Sequence, residues 1–504
     1  MKLKGIVAAA TCVCLTFSLA ACGTNAASSS SSSATSSSAT SAASTLSSVP
    51  TKSSITTNEA IANSVGGEHA ITADGTTATY SNAKVEKTGD SNSGDEADFY
   101  GDNASVFATN GATLNLNEIV LESNGMHANG VFSYGEGTTV NIADSVIETS
   151  GNCSGGLMTT GGGTMNANNL RITTSGNSSA AIRSDRGGGT VNVNGGVYTT
   201  SGTGSPVIYS TADITVSNAE LASTASQGVV VEGKNSVALH DVSLVANNNT
   251  KNSDKSSFYQ AVMIYQSMSG DAASGKSNFS MDGGSLTNEN GDVFFVNNTA
   301  CEIDLNGAAI TNNGDGVFLR AAAAGWGTEG SNGGQVTLKA TDQTINGDIV
   351  VDSVSNLNLH LTNSTFTGAI NSDGQAGDVY VEVANGSKWT LTADSYITSL
   401  TCSADSINLN GHALYVNGVA YSEGTASTGE AIAVVASESS GGPGGTPPDG
   451  KPGENGGSAP DKPGEGNSND SVGDNGSRPS KPSGDGSSNS GNGGTPPSKP
   501  NSGN

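Results

Sequence analysis

Four stretches between Gly111 and Gly202 repeat one pattern: GATLNLNEIVLESNG from Gly111, GTTVNIADSVIETSG from Gly137, GGTMNANNLRITTSG from Gly162 and GGTVNVNGGVYTTSG from Gly188. Each is an alternating apolar/polar run, a second short run, and then Ser-Gly or Asn-Gly. The spacing of about 26 residues falls within the range of solenoid repeats. One unit cannot bury its own apolar face, so it has to stack on its neighbours.

The alternation makes these runs strands: Leu114 and Leu116, then Val120; Val140 and Ile142, then Val146. A period of two belongs to strands, and the Gly, Asn, Asp and Ser residues between the runs suit tight corners. Related units recur near Asp213, Ser236, Ser277, Cys301, Gln335, Leu357 and Val379, spaced 22 to 26 residues apart where no insertion intervenes. A coil of that length holds three short strands and three turns, and successive coils pair as parallel strands about 4.8 Å apart. The fold class read from this pattern is all-β, a single-stranded right-handed parallel β-helix over residues 57–436. The hand rests on the strong bias of parallel crossovers and on the family resemblance given below. The narrow lumen is expected to take Val, Ile, Leu, Ala and Thr, and corner Asn residues to stack in ladders. Residues 57–105 and the segment from Ala384 to Gly418 are expected to cover the two ends.

The chain begins with Lys2, Lys4 and an apolar run from Ile6 to about Ala20, too short to span a bilayer. Residues 1–21 read as a signal peptide. The stretch Leu19-Ala20-Ala21-Cys22-Gly23 resembles the bacterial lipobox. That resemblance implies cleavage before Cys22 and a diacylglycerol on its sulfur, hence a membrane partner and an extracytoplasmic, cell-surface location. Residues 22–56 are a Ser/Ala/Thr-rich tether with a random-coil reach of roughly 30 Å. Eleven of the thirteen prolines fall between Pro443 and Pro500, which marks 437–504 as a Pro/Gly/Ser-rich disordered tail. The formal charge of −26 disfavours nucleic acid and anionic lipid as partners. Cys153, Cys301 and Cys402 are too dispersed for a disulfide framework and show no zinc spacing, so they read as buried free thiols.

The block as a whole resembles right-handed β-helices of the pectate-lyase-like and adhesin kind. Segments such as SSAAIRSDRGGGTVNVNGG, VMIYQSMSGD and WTLTADSYITSL are similar to a family of uncharacterised surface lipoproteins of Firmicutes. The resemblance implies a β-helix at the cell surface and supplies no activity.

Catalytic motifs are missing. The polygalacturonase signatures have only the partial matches Gly411-His412-Ala413 and Arg171-Ile172-Thr173, far apart, and no Arg-x-Pro-x-x-Arg pattern of pectate lyases occurs. The five histidines (His69, His127, His240, His360 and His412) are single and scattered. The acidic run Asp90, Asp95, Asp98 and Asp102 is the candidate calcium site, the only cofactor the sequence suggests, since carboxylates suit a hard cation. It departs from the EF-hand loop because Gly94 stands where an acid is wanted, and a solvated acidic loop is the competing reading.

Aligning the coils on the run that precedes each repeat places Ser133, Thr159, Arg183, Tyr209, Glu232, Tyr265, Arg320 and Asp352 at like positions. If this stripe faces outward, its Tyr rings can stack on sugars and its charged groups bind hydroxyls. Two insertions, from about Asn247 to Gly275 and from Arg320 to Gly334, are expected to overhang it, bringing Gln266 and Trp326. A mixed solvent face is the plainer reading. The expected function is a noncatalytic adhesin or polysaccharide-binding module for a polysaccharide or host-surface ligand. The alternatives are a lyase or hydrolase with an atypical site around Arg183, Asp185 and Arg186, or a structural spacer in the wall.

Overall fold

The computed structural model describes residues 49–434 apart from Asn252, Gln375 and Ala376. The stretch read as a signal peptide, Cys22, nearly all of the stretch read as a tether and the stretch read as a tail lie outside the described residues. What is described is a parallel β-helix. Eleven strands, from Ile71–Asp74 through Val131–Tyr134 and Gln260–Tyr265 to Asp348–Val351, stack in one sheet in strict coil order. At about 4.8 Å per rung this sheet runs about 50 Å along the axis. Most strands of the other faces merge into a 21-stranded sheet because two of them, Gly163–Thr174 and Gly189–Thr200, turn the corner without a break, while in the later coils Thr344–Asn346, Thr365–Thr367, Lys388–Thr390 and Ile407–Asn408 form a separate sheet.

Positive φ makes that corner in coil after coil, at Asn82, Glu118, Asp144, Asn169, Asn218, Asp241, Gly307, Asp342 and Asn363 singly and at the pairs Gly195-Gly196 and Gly283-Gly284. Asn, Asp and Gly tolerate the left-handed conformation best, which is why they punctuate the repeat. Their side chains link neighbouring coils, as where Asn169 Nδ2 donates to Asp144 Oδ1 across 2.6 Å.

The lumen follows from the alternation. Leu114, Val140, Met165, Val191, Ile214, Val237, Phe279, Ile303, Leu338, Leu359 and Val381 fall in register down one unbroken, buried column. Each such side chain contributes about 1.5–3 kcal/mol by leaving water. The first coils have the expected aliphatic filling. Further on the lumen admits rings: Phe294 sits between Phe279 and Phe318 at 5.6 and 5.5 Å, and Phe366 stacks on Trp389.

Both ends of the described chain are strapped along the flank. Val49 and Pro50 are buried, the carbonyl of Pro50 accepts from Arg171 Nε at 2.8 Å, and Lys52 pairs with Glu122 and Glu148. At the other end Asn358 and the backbone of Ile432 exchange two hydrogen bonds. Within 57–105 the strands from Ile71 to Lys87 form the first full coil, Glu59–Asn63 adds one further rung on Ala83–Lys87, and the short helix Asp95–Tyr100 lies over the flank and not over the end. Within 384–418 the last rung, Leu414–Val416, pairs antiparallel with Val419–Ala420, which ends the parallel stack.

Candidate functional site

The expected stripe is not a solvent face. Pairing splits it into columns: Phe132, Met158, Arg183, Tyr209, Val230, Met263, Phe295 and Arg320 stack on the outer side of the eleven-stranded sheet. Glu232 and Tyr265 stack in a second column two residues along, whereas Ser133 and Thr159 alternate with the first and are fully buried. The outer columns are covered. Phe132 and Met158 pack with Ala104, Phe107 and Tyr134 near the helix Asp95–Tyr100. Tyr209, Val230, Met263, Tyr265 and Phe295 form a second apolar cluster with Phe258 and Trp326 from the insertions.

The insertions therefore seal this face where they were expected to overhang it. Trp326 is 2% exposed and meets Tyr265 edge-on at 5.3 Å, so it is no exposed platform. Tyr265 itself belongs to the strand Gln260–Tyr265, and Gln266, also buried, donates to the carbonyls of Ser267 and Ala272. Glu232 is fully buried and accepts from the hydroxyls of Tyr209, Tyr265 and Ser267. Burial, and then the Glu232 carboxylate, push the Tyr209 hydroxyl far above its ordinary range, so it stays a donor. Arg320 makes a two-pronged pair with Asp292 and lies over the Phe258 ring at 4.1 Å.

The residues of the atypical catalytic reading are likewise committed to each other. Arg183 Nη2 stands 3.2 Å from Asp98 Oδ2 and 3.0 Å from Asp185 Oδ2, and Arg186 binds Asp271 while covering Phe99. Among the described side chains, Asp90, Asp98 and Asp102 do not gather around a shared centre. Asp98 turns inward and is buried, Asp90 accepts from the Met126 amide at 2.8 Å, Asp102 is half-buried, and Asp95 opens the helix. Burial opposes the charge on Asp98, but Arg183 and His127 outweigh it and hold its carboxyl at about 2.

An exposed site does exist, on the next face. Outward positions of the strands Thr113–Asn117, Thr139–Ala143, Gly163–Thr174 and Gly189–Thr200 fall into rows of threonine and asparagine. Asn115, Asn141, Asn166 and Asn192 form a hydrogen-bonded ladder: each later amide donates Nδ2 to the Oδ1 before it, at 2.9, 2.9 and 3.0 Å. Beside it run Asn117, Ala143, Asn168 and Asn194. These two rows line a groove of about 510 Å³ that extends from Thr79 to Thr215 and Ser217. Asn141 and Asn166 each spend one N–H and one lone pair on their neighbours, whereas Asn115 only accepts and Asn192 only donates, so every ladder amide keeps hydrogen-bonding capacity for solvent. Groups of one kind thus recur about every 4.8 Å in a groove whose lining carries no charged side chain.

The sequence carried this signal in the outward letters of TLNLN, TVNIA, TMNAN and TVNVN, where ladders were expected only at corners. The covered face was signalled too. QAVMIY and DVFFVN hold the unbroken apolar runs AVMIY and VFFV, the mark of strands buried on both faces. Comparison with known protein families, curated proteins and solved structures yields no match.

Proposed function

We propose that this is a noncatalytic surface protein, held by a lipid at Cys22, that binds a neutral polysaccharide chain along the asparagine groove. The observation that carries the reading is the ladder Asn115–Asn141–Asn166–Asn192 in its uncharged, exposed groove. A linear polymer of hydroxyl-bearing units repeats its donors and acceptors along its length, and so does this groove; amides serve both roles. The acidic chain as a whole would repel polyanions, which favours a neutral glycan. The Arg183, Asp185 and Arg186 side chains are tied into ion pairs and hydrogen bonds, which weighs against the lyase alternative.

The test is affinity electrophoresis and calorimetry of the full chain against neutral and acidic polysaccharides, with the medium assayed for released sugar. Saturable binding without product is expected. Changing Asn141, Asn166 and Asn192 together to Ala should weaken it at least tenfold, whereas Arg320→Ala, on the covered face, should leave it unchanged. Equal binding by the triple variant would remove the groove, and released product would make the protein an enzyme.

A further inference from the structure

At the corner that precedes the eleven-stranded sheet, successive coils place His127, Cys153, Ser178 and Gly204 in equivalent positions. Their φ values are 55°, 55°, 54° and 63°. Their alignment is fixed by the rung bonds His127 N to Asn152 O and Cys153 N to Asn177 O. His127 and Cys153 therefore project from one edge of the rod, one rung apart. The helix Asp95–Tyr100 brings a carboxylate to the same place: Asp98 Oδ1 lies 3.3 Å from His127 Nδ1. A carboxylate oxygen, an imidazole nitrogen and the Cys153 sulfur all lie within 4.8 Å of one another. Asp98 and His127 are buried, and Cys153 is half-buried, so the cluster opens toward solvent on the thiol side.

We infer that Asp98, His127 and Cys153 bind a borderline-soft divalent transition cation, of which Zn²⁺ is the type. The donor set decides the class. Thiolate and imidazole suit zinc and its neighbours, whereas calcium takes oxygen ligands alone. Three protein ligands plus an open position toward water is the arrangement of accessible zinc sites. Donors within 4.8 Å come to bonding distance by small rotamer changes.

The surroundings support the ligands. Asn129 Nδ2 donates to Asp98 Oδ1 at 3.2 Å, and Arg183 braces Asp98 Oδ2 at 3.2 Å while also holding Asp185. A hydrogen bond such as that from Asn129, and an ion pair such as that with Arg183, orient a ligating carboxylate. Charge agrees as well. Asp98, Asp185 and Arg183 sum to one negative charge. A dication that displaces the Cys153 proton to solvent adds two positive charges against one new thiolate, and the cluster becomes neutral. This site lies apart from the asparagine groove and does not depend on the function proposed for it.

The test is titration of the full chain with Co²⁺, reading the near-ultraviolet thiolate-to-cobalt charge-transfer band. One equivalent should saturate the band, Zn²⁺ should abolish it, and excess Ca²⁺ should not. Cys153→Ser, nearly isosteric and checked for fold by circular dichroism, should lose the band. The cysteines within the first 22 residues remain in both proteins, so the difference reports Cys153. His127→Ala and Asp98→Asn should each weaken Co²⁺ binding at least tenfold, and Cys301→Ser, in the lumen, should change nothing. Zn²⁺ should raise the melting temperature of the wild type and not of Cys153→Ser. A wild type without a band, or a band that survives Cys153→Ser, overturns the inference.

Discussion

Tyr265 donates its hydroxyl to Oε2 of Glu232 across 2.9 Å, on the outer side of the sheet under the insertions. Tyr209, from the coil on the other side, reaches the same oxygen, and the two hydroxyls lie 3.0 Å apart. A carboxylate without solvent is tolerated here because hydroxyl donors surround it.

Glu232→Ala leaves those hydroxyls short of an acceptor and opens a void. The expected cost is about 3 kcal/mol, for buried donors left unsatisfied and a void. Glu232→Gln, which keeps an acceptor oxygen, should cost clearly less. The denaturant midpoint measures both. Limited proteolysis within 247–259 should quicken in the alanine variant, because the insertion docks on this cluster.

Gly176→Ala tests the glycine that closes each repeat. Gly125, Gly151, Gly176 and Gly202 form a column in which the backbones of adjacent coils approach closely. A Cβ on Gly176 would come within 1.9 Å of the Gly151 carbonyl oxygen. Relieving that overlap requires the coils to part, at a cost of about 2 kcal/mol. Gly111→Ala, where a Cβ meets nothing but φ is +74°, separates crowding from left-handed strain. It should cost only about 1 kcal/mol. Thermal midpoints of the two variants order the effects.

Acid should weaken the rod through Glu302. Burial opposes its charge, but Lys276 and Lys339 flank it and hold its carboxyl at about 2, below the ordinary 4.5. The folded pKa is depressed, so this contribution is fully present above pH 4.5 and fades as pH falls toward 2. Glu302→Gln should flatten that part of the stability–pH curve and leave the curve above pH 6 parallel to wild type. An unchanged acid limb would refute the assignment.

Much of the fold was legible because a period of two and a repeat of 26 residues admit few solutions. The column from Leu114 to Val381 could be read letter by letter. The covering of Arg183, Tyr209 and Glu232 could not, because alternation says which side chains leave the lumen and not what meets them outside. That depended on how the segments around Phe99, Phe258 and Trp326 fold back, a tertiary matter. The runs QAVMIY and DVFFVN held the available hint. Likewise Cys301 and Cys402 are the buried thiols expected, while Cys153 is half-buried. It meets His127 because two corners one rung apart share an edge, and it meets Asp98 because a short helix lands there.

The strap at Val49–Lys52 has a mechanical consequence. Among the described residues the first rung on this flank is the strand Glu59–Asn63, yet the preceding chain is fastened at Arg171, four strands further in. A pull from upstream is first met by the Arg171 contact and the two Lys52 pairs, and only then by the edge strand. The strap works as a strain relief, as a clamp does where a cable enters a housing. A pulling experiment should register it as a small, early yield before any coil unwinds.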